Sequence, residues 1–168
     1  MTAAIFLDRD GVINEKMPEG EYVSSPEEFR LLPGAVEAIR RLNDAGYLVL
    51  VVTNQRGIAR GELTEADLTA IHEKLTTALH AAGAHLDGIY VCPHEKGSCD
   101  CRKPKPGLLL QAKADFPQID FSQSVMIGDS ESDIQAGQAV GCGRCIRIGI
   151  DCETKTLAQA ANLVLERM

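Results

Sequence analysis

Short apolar runs alternate along this chain with stripes of helical period, and that alternation predicts a layered α/β fold. Ala3–Leu7 is a continuous apolar run and reads as a buried strand. Tyr47–Val52 is a second, rich in β-branched residues, as a central parallel strand requires. Between them Pro33-Gly34 opens a helix that carries Val36, Ile39 and Leu42 on one face and stops at Gly46. Thr64-Glu65-Ala66-Asp67 is close to a capping box. The helix it starts holds Leu68, Ile71, Leu75, Leu79 and Ala82 at helical spacing; His72 and His80 fall off that stripe and read as solvated. Leu86–Val91 predicts a third strand and residues 107–115 a helix with Leu108, Leu109 and Ala112 inward. Ser124–Ile127 predicts a fourth strand, followed by an Ala/Gly-rich helix to Val140, and Arg144–Ile148 a fifth. A short helix near 154–161 and a last strand, Leu163–Leu165, close the chain. Residues 15–33, with Pro18, Gly20, Pro26 and Pro33, read as a long irregular segment over the surface.

Strand and helix in alternation imply a parallel sheet with right-handed crossovers. The expected architecture is a Rossmann-like three-layer sandwich around a central parallel sheet, one domain over residues 1–168, with no large cap domain between its motifs. At 45% apolar and 24% charged residues the composition is that of an ordinary globular protein. A formal net charge of −7 disfavours a nucleic-acid or anionic-membrane partner. The longest apolar run is too short to span a bilayer, and the first residues lack the basic region of a signal peptide. A soluble, cytoplasmic monomer is expected.

Candidate chemistry gathers where strands end, and in parallel sheets ligands bind at the carboxyl ends of strands. The first strand runs into Asp8 and Asp10, which an extended chain points the same way. Alone, the pair is compatible with an Asp-Gly turn, a magnesium site or an acid/base pair. Thr53 follows the second strand, Arg102-Lys103 lie soon after the third, and Gly128-Asp129-Ser130-Glu131-Ser132-Asp133 follows the fourth. That recurrence favours catalysis over the turn. Asp8, Asp10 and Asp129, with the Thr53 hydroxyl and the Lys103 cation, suit Mg²⁺, a hard ion that takes few carboxylates plus a substrate phosphate. A carboxylate can attack phosphorus, and a second acid two residues on can move the leaving-group and water protons. No Walker glycine loop is present.

Six cysteines occur without a secretory signal, which points to metal or redox work before a disulfide framework. Cys92-x-His94-x4-Cys99-x-Cys101 has the ligand types of a closed Cys₃His zinc site; the alternative is four chance residues in a loop. A structural zinc in a small loop, 92–101, would aim Arg102 and Lys103. Cys142, Cys145 and Cys152 lack a fourth partner with good spacing and read as buried thiols or as chance occurrences.

The ordered set Asp8-x-Asp10-Gly11, Thr53, Lys103 and Gly128-Asp129-x-x-x-Asp133 resembles the four motifs of the haloacid dehalogenase superfamily of phosphohydrolases over residues 5–133. The resemblance implies Asp8 as nucleophile and Asp10 as general acid/base, with Thr53 and Lys103 on the transferring phosphoryl group. It implies Mg²⁺ on Asp8, the Asp10 carbonyl and Asp129, and Asp133 as the residue that orients Lys103 or a metal-bound water. Phe6–Gly11, Thr53-Asn54-Gln55, Gly57–Gly61, Cys92-Pro93-His94 and Cys101–Pro104 are more narrowly similar to the heptose 1,7-bisphosphate 7-phosphatases. These act in nucleotide-heptose and lipopolysaccharide-core synthesis. Their substrate contacts map onto Asp8, Arg9 and Asp10, onto Glu19, Gly20, Glu21 and Tyr22, onto Thr53, Asn54, Gln55 and Arg56, and onto Arg102 and Lys103. Arg102 is then the clamp for the distal phosphate. Position 56 is Arg where Ser is commoner, Ser130 stands where some members carry Lys, and the loop from His94 to Cys99 is short for the group. Histidinol-phosphate phosphatases share the zinc loop and the Cys-Arg-Lys-Pro run and form the rival enzyme reading. An inactive zinc-stabilised phosphate-binding scaffold would have lost a carboxylate, and none is missing.

Overall fold

In the computed structural model, residues 1–166 are described, and the apolar runs pair into a five-stranded sheet. The strands are β1 (Ala4–Leu7), β2 (Leu48–Asn54), β3 (Gly88–Cys92), β4 (Val125–Gly128) and β5 (Arg144–Arg147). The helices are α1 (Ala35–Asp44), α2 (Glu65–Ala81), α3 (Gly107–Asp115), α4 (Glu131–Val140) and α5 (Leu157–Leu165). The strand order is β3-β2-β1-β4-β5, and every pairing is parallel.

Both faces of the sheet are covered, which is why its central strands read as unbroken apolar runs. All four residues of β1 are fully buried. Side chains alternate between faces along a strand. Ile5, Leu7, Val49, Val51 and Ile127 therefore join one core with α1, α2 and α5, built on Ile39, Leu42, Ile71, Leu75, Ala160 and Ala161. Ala4, Phe6, Leu50, Val52 and Met126 face the other way, onto Leu108, Leu109 and Ala112 of α3 and Ala136 of α4. These are the three expected layers. The carboxyl-edge connections, residues 8–34 and 93–106, contain nothing larger than a single 3₁₀ turn, Pro26–Glu28, so no cap covers this edge.

β1 pairs with both β2 and β4, so the connections leave it in opposite directions. The switch point lies between β1 and β4, and there a parallel sheet opens a crevice beyond its carboxyl ends. Asp8 and Asp129 begin the two loops that flank it.

Four expectations need correction. The terminal strand Leu163–Leu165 does not form; α5 runs through it. Its Leu-Val-Leu run also fits the helical set Leu157, Ala160, Ala161, Val164, which packs against α1, and the Thr156 hydroxyl caps the helix by accepting from Gln159 N (3.2 Å). Residues 15–33 are not wholly superficial, because Val23 and Phe29 are buried in the first core. Ala82 lies exposed past the end of α2. His72 is largely buried and bonded to Arg9. Smaller shifts extend β2 to Asn54 and move β3 to Gly88–Cys92, placing Thr53 inside a strand. Among the described residues no helix is long and apolar enough to cross a membrane.

Candidate active site

β1 delivers Asp8 directly over the crevice, its N–H still bonded to the Ile127 carbonyl of β4 (3.1 Å). Asp8 Oδ1 accepts from Lys103 Nζ (3.0 Å) and from the Arg9 N–H (2.9 Å), while Oδ2 has no donor among the described residues. The Lys103 ammonium spends its other protons on Asp133 Oδ1 (2.5 Å) and the Val52 carbonyl (2.8 Å). The Lys103 side chain is only 2% exposed, so it survives as a cation because two carboxylates face it. Burial pushes its pKa down, and Asp8 and Asp133 more than reverse that. Asn54 clamps the lysine's backbone to the end of β2, accepting from Lys103 N (3.0 Å) and donating to Lys103 O (3.2 Å). Asp133 is held by the capping box of α4, where its Oδ2 accepts from Ser130 N (3.2 Å) and Oγ (3.0 Å).

Asp10 is held differently. Its Oδ1 accepts from Arg9 Nη2 (2.8 Å), Arg9 Nε (3.3 Å) and Asn14 Nδ2 (2.9 Å). Among the described residues its Oδ2 accepts only from Gln55 Nε2 (3.0 Å), which also bonds Thr53 Oγ1 (3.0 Å). Burial would raise the Asp10 pKa, but the Arg9 charge and the bonds from Asn14, Arg9 and Gln55 outweigh it and hold the carboxyl below its usual range. Asp8 behaves in the opposite way. Burial pushes it up to about 8, with Lys103 pulling down and Asp133, Asp10 and Asp129 pushing further up. A cation held by Asp8 and Asp129 would draw the Asp8 carboxyl back down to the ionised form in which a carboxylate can attack.

Asp8, Asp129 and Asp133 can each offer an oxygen, all within 4.8 Å of one another, a spacing that suits a hard cation. The Asp10 side chain is instead turned toward Arg9, Asn14 and Gln55. Gly11, at φ 83°, is required here: a Cβ would stand 2.2 Å from Asp129 Oδ2. Lys16 reaches in from the following loop and bonds Asp129 Oδ2 (3.1 Å).

These groups floor a cavity of about 290 Å³. Glu19, Gly20, Glu21 and Tyr22 form one wall, Arg56 and Arg102 another, and Asn54 and Ser130 also reach it. Arg56 donates to the Tyr22 hydroxyl (3.0 Å) and meets Glu95 (3.4 Å). Arg102 lines this cavity, and its Nη1 is buried with no partner among the described residues. Arg9, Thr53 and Gln55, expected at the substrate or the phosphoryl group, do not line the cavity but stand behind Asp10. Sequence reasoning missed Asn14, Lys16 and His72. Asn14, fully buried four residues past Asp10, was the most accessible of these, since a buried amide must find partners.

The Cys/His loop folds into a knot beside Lys103. Cys92 Sγ lies 2.9 Å from Cys101 and 3.5 Å from Cys99, the Cys99–Cys101 pair is at 3.5 Å, and His94 Nδ1 is 3.2 Å from Cys101. All four ligand atoms lie within 4.8 Å of one another and all three cysteines are free thiols, a donor set that fits a tetrahedral zinc ion.

A family model described as haloacid dehalogenase-like hydrolase matches residues 5–141. A D-glycero-beta-D-manno-heptose-1,7-bisphosphate 7-phosphatase of Vibrio cholerae is 42% identical over 86% of this chain and 80% of its own. One of Escherichia coli is 45% identical over 83% of this chain and 75% of its own. The crystal structure of D,D-heptose 1,7-bisphosphate phosphatase from B. bronchiseptica, complexed with magnesium and phosphate, superposes with a TM-score of 0.89 at 35% identity, covering 99% of this chain and 100% of that one. The matched span takes in Asp8, Asp10, Thr53, Lys103 and Asp129 together with the fold that converges them, and the chain belongs to the haloacid dehalogenase-like hydrolase family.

Proposed function

We propose that this chain is a magnesium-dependent phosphatase that removes the C7 phosphate of D-glycero-β-D-manno-heptose 1,7-bisphosphate through an aspartyl-phosphate on Asp8. The observation that carries this reading is the contrast between the two carboxylates. Asp8 has one oxygen fixed by Lys103 and the other free, while Asp10 has one oxygen saturated and the other nearly free. The substrate comes from the names of relatives more than 40% identical.

In the first step Asp8 Oδ2 forms a bond to phosphorus as the bond from phosphorus to the C7 oxygen breaks. A proton on Asp10 Oδ2 passes to that leaving oxygen. An incoming phosphate dianion favours the protonated form of Asp10 that this requires. In the second step Asp10 takes a proton from water, the water oxygen attacks phosphorus, and Asp8 departs with inorganic phosphate released. Lys103 neutralises charge on the transferring group without moving, because Asp133 and Val52 already fix it. Mg²⁺, held by Asp8, Asp129 and the Asp10 carbonyl, supplies further charge neutralisation when bound. Arg102, with its unpartnered Nη1, takes the sugar's second phosphate, and Arg56 and residues 19–22 shape the space around the heptose. Zinc on Cys92, His94, Cys99 and Cys101 is structural and pins the segment that presents Arg102 and Lys103.

Steady-state turnover of the heptose bisphosphate and of histidinol phosphate, measured side by side with magnesium, tests the substrate. A kcat/KM at least about tenfold higher for the bisphosphate is expected, since the partner left by a missing distal phosphate is a buried cationic donor. A tenfold preference for histidinol phosphate would overturn the assignment.

A further inference from the structure

We propose that His72 is a positioning residue for Asp10, acting through the buried guanidinium of Arg9. The inference rests on the phosphatase reading above, because it concerns the residue that reading uses as the acid.

Arg9 is completely buried, and its donors are shared between two partners. Nε and Nη2 go to Asp10 Oδ1, and Nη1 meets His72 Nε2 at 3.1 Å. The guanidinium also lies 5.7 Å from the centre of the Phe29 ring, which walls the space it occupies. A guanidinium has no acceptor, so the His72 nitrogen must be the lone-pair side, and the imidazole must be neutral with its proton on Nδ1. Its environment keeps it so: burial and the Arg9 charge lower the pKa to about 4, against a weaker upward pull from Asp10.

The geometry makes His72 the far anchor of a short rigid chain. α2 is set by its Thr64–Asp67 capping box and by Leu68, Ile71 and Leu75 in the core, so the imidazole has a fixed origin. Arginine has a long, rotatable stem, and two bonds to one oxygen of Asp10 leave it free to swing about that oxygen. The third bond, on the opposite nitrogen, removes that freedom. Asp10 Oδ1 is thereby fixed, and Oδ2 remains the oxygen able to carry the mobile proton. His72 cannot do this by touching substrate. It opens instead on a separate shallow cleft, beside Ile58, Leu68, Val91 and Pro93, that shares no wall with the catalytic cavity.

Without the acceptor, Arg9 Nη1 would be a buried charged donor with no partner, and the guanidinium would turn to satisfy it at the expense of Asp10. The effect should therefore appear in proton delivery and not in substrate binding. The test uses His72→Leu, which keeps bulk and removes the acceptor, and His72→Gln, whose amide oxygen can reach the Nε2 position. Each is measured on the heptose bisphosphate, whose alkoxide leaving group needs a proton, and on p-nitrophenyl phosphate, whose leaving group does not. For His72→Leu, kcat/KM on the sugar phosphate should fall about tenfold or more, within the range general acid catalysis supplies, while the aryl ester loses no more than about threefold. His72→Gln should recover most of the loss. Equal losses on both esters, no loss on either, or a glutamine variant no better than leucine would each overturn the proposal.

A readout independent of turnover accompanies these. The Arg9 Nε–H resonance should be protected from exchange in the parent and in His72→Gln and lose protection in His72→Leu; unchanged protection in His72→Leu counts against the proposal. If the leucine variant does not fold, His72→Met makes the same comparison. A parent protein that hydrolyses neither ester sinks the phosphatase reading, whereas an active parent with an unaffected His72→Leu sinks only the role of His72.

Discussion

Asp8→Asn is expected to abolish turnover while leaving the protein folded and no easier to melt. Asparagine has the size of aspartate and keeps an oxygen that can accept from both the Arg9 N–H and Lys103 Nζ, and Asp133 still neutralises the lysine, so the backbone at the end of β1 has no reason to move. The amide cannot serve as the attacking carboxylate. A loss of at least about 10⁴-fold in kcat follows for a residue that forms the covalent bond, about 5 kcal/mol of barrier. Stability should respond in the other direction. Burial pushes the folded Asp8 carboxyl up to about 8 from an ordinary 3.8. A raised carboxyl pKa costs stability as pH climbs above about 4, with the full cost present above about 8. Asparagine has no proton to lose and escapes that cost. Without added magnesium at pH 8, the variant should melt at or above the temperature of the parent. An inactive variant that also melts well below the parent would mean that Asp8 is a structural residue.

Cys101→Ser is expected to release the metal, lower the melting temperature and slow catalysis together. Its sulfur sits 2.9 Å from Cys92 and 3.2 Å from His94 Nδ1, so one substitution breaks a set in which all four donors are mutually close. Metal analysis should fall from about one zinc per chain, because the binding energy of structural zinc is folding energy. The α/β core has its own apolar clusters and should remain folded, so the loss should be partial, of order 5–10 °C in Tm. Catalysis should suffer because Arg102 and Lys103 directly follow Cys101, leaving Asn54 as the clamp that holds Lys103 in place. Cys142→Ser is the control: Cys142 packs against the second core but lies outside the Cys/His cluster, so zinc content and kcat should not change. If Cys101→Ser kept parent values of Tm and kcat, the zinc loop would have no part in presenting Lys103.

Much of the fold was legible because both faces of the sheet are buried, so every strand but the outermost announces itself as an apolar run. The carboxylates were legible for a related reason. An acid at the end of a buried strand must answer to something, and Asp8 and Asp129 end neighbouring strands at the switch point. What could not be read depended on contacts between distant segments. Leu163–Leu165 satisfies strand and helix patterns alike, and only the packing of α5 on α1 decides between them. Residues 15–33 look polar and proline-broken, yet Phe29 is drawn inward to form the wall beside Arg9. His72 lies off the apolar stripe of α2, so periodicity sends it to solvent, while the charge that captures it stands 63 residues earlier in the chain. Arg9 and Gln55 sit inside the recognisable motifs, and their placement behind Asp10 is visible only once the strands are side by side.

In the proposed mechanism Asp8 carries the phosphoryl group between the two steps. Rapid acid quench during turnover of the heptose bisphosphate, reduction with borohydride and peptide mapping by mass spectrometry tests it directly. An acyl phosphate on an aspartate is reduced to homoserine, so homoserine is expected at position 8 in the quenched enzyme and none in Asp8→Asn. Homoserine at another position, or steady phosphate release with Asp8 unmodified at every quench time, would contradict it.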